Sequence, residues 1–566
     1  MIGTKISKIA ILALPLLAFV TLPSFAQLTY PGCAAVQTSD FAMVALARNS
    51  TDTSIKEPEK MALDLNAQGK VDVYFVQRYG KVRKYDGTAG GTALTLANFN
   101  FGTGTSLTDT NQVYSSSSEG LQGIALDPAF KTNHWIYLYF CMKSKWRVTR
   151  YTLNGNTLDL TTAKTILTFS HASFGQHMGS AIRFDWAGNL WMTVADDGGS
   201  NWPDNRTVLY QAANTNSYFG KILRVKPRAI PDNQAAPTPG VGSTYDIPAG
   251  NLFPEGTAKT LPEIYVMGTR NPYSIGMDSV RKAITWGDVG PDTYTAPTGI
   301  TQWTEEFNLT AQPGNFGWPM WAGSQVPMPT AGWAGFTAQP PPAGGFGPTS
   351  APVNNRSDNT GLTTLPAAQP AMIPYAKACA ITGPVYYYNG SLASTVKFPP
   401  HFNGHWIIGD FNNEWIDVAE LNPAGTAVLS RQRIVTAAST SNALDALMDL
   451  QIGPDGALYL VNYAGYRTTT AGTGIYRIEY RGTCLPTTTA MRKAAVKIDF
   501  AFDGAYLKMD QAGPHRIEVR SLTGRVEWLK NGTGAMRYDL RSVQAPGLHI
   551  ISVTTPAGRS DRKFVR

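Results

Sequence analysis

Seven histidines are spread along the 566 residues of the chain, and one of them is set apart by its neighbours. His177 stands between Gly175 and Gly179 in a loop that leads into an apolar strand, where small residues let backbone approach a ligand closely. An imidazole so placed is suited to act as a general base, because its ordinary pKa lies near neutrality. The alternative for a loop histidine is plain solvation. A second group follows: Arg270 and Asn271 precede Pro272 in EIYVMGTRNPYSIG, with WGDVGP at 286–291 and EEFNLTAQPGNFGWP at 305–319. By themselves these segments allow a surface ion pair for Arg270 and a structural turn around Trp318. Of the other histidines, His134, His401 and His405 fall within repeat units, and His515 and His549 lie near the C-terminus. Cys33, Cys141, Cys379 and Cys484 form no CxxC or Cys/His cluster of the kind that binds zinc. No CxxCH haem site, Walker loop or GxGxxG unit is present.

The elements that must carry these residues repeat. An apolar strand, a turn containing Asp or Asn with Gly, and a second apolar or aromatic strand recur at 61, 121, 180, 273, 398 and 448. Apolar and polar positions alternate with period two, and the turn residues permit tight reversal. A hairpin of this kind cannot bury both faces alone, and radial repetition around an axis solves the problem. Six units therefore predict six blades. Two segments rich in Pro and Gly, 225–262 and 320–372, read as insertions that build one binding face.

Residues 1–26 have Lys5 and Lys8, the apolar run IAILALPLLAFV and SFA before Gln27, the layout of a secretory signal cleaved after Ala26. That reading predicts an exported protein, secreted or at the cell surface. In an oxidising compartment four cysteines allow three pairings, of which Cys33 to Cys484 would tie the first strand to the last. The formal charge of +8 is concentrated at the C-terminus, where residues 492–566 hold 14 Lys+Arg against 7 Asp+Glu. The large middle region is close to neutral, which argues against nucleic acid as a partner. After Cys484, LPTTTAMRKA (485–494) reads as a linker. Short alternating strands with glycine turns over 495–566 then predict a small C-terminal β-sandwich. The predicted organisation is thus all-β: a signal peptide (1–26), a six-bladed β-propeller (27–484), a linker and a sandwich.

Four stretches of the large region resemble the glucose/sorbosone dehydrogenase family of pyrroloquinoline-quinone (PQQ)-dependent sugar dehydrogenases. EGLQGIALDPAF is similar to that family's EGLLGLAFHPDF, QHMGSAIRFDWAGNLWMTVADDGG to its HxGGxLxFGPDGxLYxxxGDxG, EIYVMGTRNPYSIGMD to its EIWSxGxRNPxGxxxD, and EEFNLTAQPGNFGWP to its DEINxIxxGxNYGWP. The resemblance implies PQQ above the propeller axis, a sugar above the quinone and an external electron acceptor. It makes His177 the base that takes the substrate hydroxyl proton while hydride leaves for the quinone, and Arg270 the cation beside the reacting carbonyl. Asn271, Asp197 and Thr382 are implied as cofactor contacts, and Gly290 and Pro291 as backbone ligands of calcium, a hard ion suited to oxygen. The C-terminal strands resemble the sorting domain of type IX secretion, with a LxGRxV strand pair, GxHxxxV and a basic last strand. An ordinary carbohydrate-binding or spacer sandwich is the alternative.

The chain also departs from the family pattern. Gln176 precedes the histidine where an acidic residue is common, and Asp197 stands where glutamine usually follows the aspartate. The last unit reads ALMDLQIGPDG, so Ala446 and Met448 replace two arginines that hold cofactor carboxylates. Losing two charge-assisted contacts of about 1.5–3 kcal/mol each would weaken binding at least ~100-fold without compensation. Lys221, Arg224, Arg467 and Lys377 are candidates to supply it. The leading expectation is a secreted quinoprotein dehydrogenase acting on a sugar hydroxyl. Against it stand a propeller that has lost its cofactor and binds carbohydrate or a protein partner, and a calcium-dependent hydrolase using Asp197, Asp288 and Asn271.

Overall fold

The computed structural model describes residues 36–482 and 500–565, apart from 103–111, 115–118, 171–176, 199–209, 291–303, 324–325, 328–347, 437–443, 465–468, 522–525 and a few single or paired positions. Residues 1–26, expected to be a signal, residues 485–494, expected to be a linker, and Cys33, Cys484, Gly175, Gln176, Pro291, Lys377 and Arg467 lie outside the described residues. The chain divides into two compact units, Met1–Cys484 and Leu485–Arg566.

In the first unit six antiparallel sheets stand around an axis. Their innermost strands are Pro58–Leu65, Leu121–Leu126, Gly179–Phe184, Pro272–Asp278, Ala380–Val385 and Leu447–Ile452, here numbered blades one to six. Each innermost strand packs on the next and the sixth returns to the first, so the ring is closed. Closure is made by strand pairing between the two ends of the chain segment. The first strand, Phe41–Arg48, is the outermost member of blade six and pairs with Gly474–Tyr480 from Phe41↔Tyr480 to Arg48↔Gly474. Both ends of the propeller thereby share one sheet.

Burial is more continuous than the period-two pattern implies. Second strands such as Val71–Gln77 and Leu190–Val194 are buried at every position, because blades stack face to face and leave no solvent side for a middle strand. The recurring turn is held by its aspartate. Asp185 accepts hydrogen bonds from the backbone of Ala187 and Asn189, the Asn189 amide and the Trp191 indole at 2.8–2.9 Å. Blade five departs from the expected unit at 398. Its innermost strand is Ala380–Val385, and residues 398–404 form a connection with a short helical turn at Pro400–Phe402 before the second strand, His405–Asp410. AITGPV carries Gly and Pro within it, and the Asn389-Gly390 pair that follows opens a long connection rather than a tight hairpin into the second strand.

Part of the second insertion folds back on blade three. Asn354 Nδ2 donates to Ala213 O at 3.1 Å, and Ala368 bridges to Asn315, whose short strand Gly314–Asn315 runs parallel to Ile264–Met267. The second unit consists of two antiparallel sheets, of three and four strands, enclosing Leu507, Met509, Ile517, Val519, Ile551, Val553 and Phe564. It is a β-sandwich.

Candidate active site

The loops that enter the innermost strands of blades three and four bring His177 and Arg270 together. Gly179 makes the approach possible: its φ is +72°, and a Cβ there would lie 2.6 Å from the Thr193 carbonyl oxygen. The His177 side chain is 6% exposed, and its Nδ1 lies 2.9 Å from Asp196 Oδ1. Because a carboxylate only accepts, Nδ1 carries the proton and Nε2 presents its lone pair. That lone pair faces Arg270 Nη2 at 3.2 Å.

Asp196 is the hub of this arrangement. Besides His177 it accepts the Gly198 backbone N–H at 2.9 Å on Oδ1 and the Trp318 indole N–H at 3.0 Å on Oδ2. Its own backbone N–H donates to Arg270 O at 2.8 Å. Trp318, read from the sequence as part of a turn, therefore fixes the residue that orients the base, and its ring also lies 5.8 Å from the Arg270 guanidinium carbon.

Arg270 is 2% exposed. Its Nη1 donates to Val289 O at 2.8 Å and to Gly290 O at 2.5 Å. Nε has no hydrogen-bond partner among the described residues. The backbone N–H groups of Arg270 and Asn271 converge on the buried Asp288 carboxylate at 2.7–3.2 Å. Burial raises Asp288 to about 7, opposed by those two N–H groups and by the Arg270 charge. Asn271 Oδ1 accepts the Gly179 backbone N–H at 3.3 Å, joining the two loops directly.

The remaining expected site residues are distributed differently. Asp197 is buried in a left-handed conformation, φ +57°. Burial pushes the Tyr139 phenol and Cys141 thiol of blade two well above their ordinary values, and the Asp197 carboxylate adds to both shifts. Asp196, which the sequence reading did not single out, is the carboxylate that faces the histidine. The signal available was the pair of consecutive aspartates after a strand, of which only one can face a given side. Thr382 is not brought to the site. Its hydroxyl accepts the Trp406 indole N–H at 2.9 Å and lies 3.2 Å from Thr285 Oγ1, and its backbone N–H donates to Ser274 Oγ at 2.7 Å, all in fully buried packing between blades four and five. Gly290 O accepts from Arg270 Nη1, which occupies one of the two lone pairs of that carbonyl. Among the described residues no group of three or more His, Cys, Asp or Glu could hold a metal ion.

Ala446 and Met448 are buried in an apolar cluster with Met61, Tyr459 and Val461. Two of the candidate compensating cations are engaged elsewhere. Lys221 Nζ donates to three backbone carbonyls, of Gln211, Ala212 and Phe219, and Arg224 to Asn251 Oδ1 and Ala249 O.

The architecture is shared with solved structures. A putative oxidoreductase (glucose dehydrogenase) from Thermus thermophilus superposes with a TM-score of 0.51 at 19% identity, over 78% of this chain and 99% of that one. The soluble aldose sugar dehydrogenase of Escherichia coli in its apo form gives 0.50 at 18%, over 78% and 100%. At such identities the likeness is one of fold. The HIPL1 protein of Arabidopsis thaliana is 25% identical over 374 residues, 57% of this chain and 47% of the relative. The chain spans half or less of the length of the curated relatives it matches. Residues 88–328, which contain His177, Asp196, Arg270 and Trp318, match the glucose/sorbosone dehydrogenase family.

Proposed function

We propose that this chain is a sugar dehydrogenase that uses PQQ and oxidises a sugar hydroxyl, with His177 as the general base. The observation that carries the reading is the buried relay Trp318–Asp196–His177 ending on Arg270. Asp196 fixes the tautomer with the Nε2 lone pair outward and stabilises the imidazolium that forms when Nε2 takes a proton. In the arrangement seen, Arg270 Nη2 covers that lone pair. An acceptor that draws the guanidinium aside both uncovers the base and gains a cationic donor.

The residues present suit a quinone at its reacting end, since Arg270 Nε is buried and unpartnered among the described residues and so has a hydrogen bond still to give. When bound, PQQ supplies the hydride acceptor that no side chain can. Calcium at Gly290 and Pro291 and cofactor contacts from Asn271 remain part of the proposal. The test is reconstitution of the purified chain with PQQ, with and without calcium, followed by dye reduction over a panel of aldoses. Substrate-dependent reduction is expected, and no quinone binding at tens of micromolar would overturn the reading.

A second reading is favoured by one observation, the apolar packing of Ala446 and Met448 where arginines are expected. A propeller that binds carbohydrate without a cofactor would retain sugar affinity in calorimetry and show no quinone binding. We also infer that the protein is exported and that its C-terminal sandwich serves sorting through type IX secretion machinery. Deletion of residues 495–566 should then leave the protein inside the producing cell, and unchanged export of the deletion would overturn that role.

A further inference from the structure

If the quinone is the ligand, its carboxylates need a cation that Ala446 and Met448 do not provide. Two arginines of the first unit, Arg183 and Arg78, are paired. Arg183 of blade three reaches both carboxylate oxygens of Asp449 of blade six at 2.7 Å. Arg78 is engaged by Glu57 and Tyr79, at 2.6 Å to each. Lys60, on the innermost strand of blade one, differs from both. Its side chain is completely buried and its Nζ has no hydrogen-bond partner among the described residues.

The position of Lys60 is defined from two sides. The adjacent Met61 N–H donates to Asp449 Oδ2 at 3.0 Å, which sets Lys60 beside the strand that carries Met448. Its Nζ lies 3.5 Å from the ring centroid of Tyr273, two residues beyond Asn271 on blade four. Lys60 therefore lies between the positions that lack arginines and the strand that presents Arg270 and Asn271. Its carboxylate neighbours are already engaged: Tyr273 Oη donates to Glu59 Oε2 at 2.5 Å, and Asp449 receives Arg183 and Met61. Burial lowers the Lys60 ammonium to about 8, with the Asp449 and Glu59 charges opposing the shift. An ammonium with three donors and only an aromatic face beneath it has unused capacity for an anion. The flexible four-carbon stem leaves Nζ free to reorient its three donors toward an anion.

We propose that Lys60 receives a carboxylate of the bound quinone in this chain, a single cation on blade one replacing the arginine pair of blade six. This rests on the quinone reading above. As a compact charge it would hold one carboxylate rather than grip it in two parallel bonds.

The test is equilibrium binding of PQQ to the full chain without substrate, followed by fluorescence quenching, for wild type, Lys60→Met, Lys60→Gln and Lys60→Arg. Both neutral variants are expected to bind ~10–100-fold more weakly and the arginine variant within about threefold of wild type. Thermal unfolding of the unliganded Lys60→Met protein should be unchanged or higher, since an unpartnered buried charge is removed, and Lys60→Gln serves if Met does not fold. The trimethyl ester of PQQ, which lacks the carboxylate charges, should bind wild type and Lys60→Met equally. Equal affinity of wild type and both neutral variants for PQQ overturns the role of Lys60 alone. Absence of PQQ binding to wild type overturns the quinone reading and this inference with it.

Discussion

His177 is held from both sides, by a carboxylate on Nδ1 and a guanidinium on Nε2. Replacing it with alanine removes a base that typically contributes ~10²–10⁴-fold, so dye reduction should fall by about 100-fold or more while quinone binding persists. Full turnover in His177→Ala would exclude it from the reaction. Asp196→Asn tests orientation rather than proton transfer. An amide can donate toward Nδ1, which moves the imidazole proton to Nε2 and leaves no lone pair for the substrate. By analogy with the catalytic triad, kcat should drop at least ~100-fold with KM little changed. A change below about threefold would show that Asp196 does not set the tautomer. The sequence made His177 and Arg270 visible through their glycine and proline neighbours. It did not distinguish Asp196 from Asp197, because that choice depends on a backbone turn at Asp197, φ +57°.

At the level of elements, the loops entering the innermost strands decide how closely two blades approach. Gly179→Ala places a methyl group against the Thr193 carbonyl in a left-handed conformation, and stability should fall by about 1–3 kcal/mol in urea titration. No loss would mean that the loop relaxes freely. Blade five supplies a pH-dependent element. His401 and His405 are buried, their ring centroids 6.0 Å apart. Burial lowers both, His401 to about 4, where the neighbouring His405 adds to the effect. A folded-state pKa below the unfolded value of about 6.5 means that the unfolded chain binds more protons, so this contribution is present above about pH 6.5 and is lost as pH falls toward about 4. The expected slope is on the order of 1 kcal/mol per pH unit below about pH 6, read from denaturant midpoints. A double His401→Gln, His405→Gln variant should be less pH-sensitive over that range, and an unchanged slope would assign the dependence elsewhere. Blade five was also the blade whose repeat was misplaced in the sequence, since its inner strand AITGPV is separated from the second strand by a long connection.

Over the whole molecule, the ring depends on its first strand. Phe41–Arg48 closes blade six, with Phe41, Met43 and Ala47 buried. Deleting residues through 48 should cost about 5 kcal/mol or more from lost apolar burial and pairing, seen as a lower denaturant midpoint. An unchanged midpoint would show that six sheets persist without this closure. Repeated strand-turn-strand units determined an all-β fold, because a hairpin with two apolar faces has few ways to cover both. Glycine and proline positions likewise marked the loops that hold His177 and Arg270. Only the tertiary structure decided which residues meet across the axis: Trp318 with Asp196, Arg183 with Asp449, and Lys60 with Tyr273. These partners are 122, 266 and 213 positions apart in the chain, and local propensity carries no information about such pairings. They follow from the angle at which each blade is set around the ring.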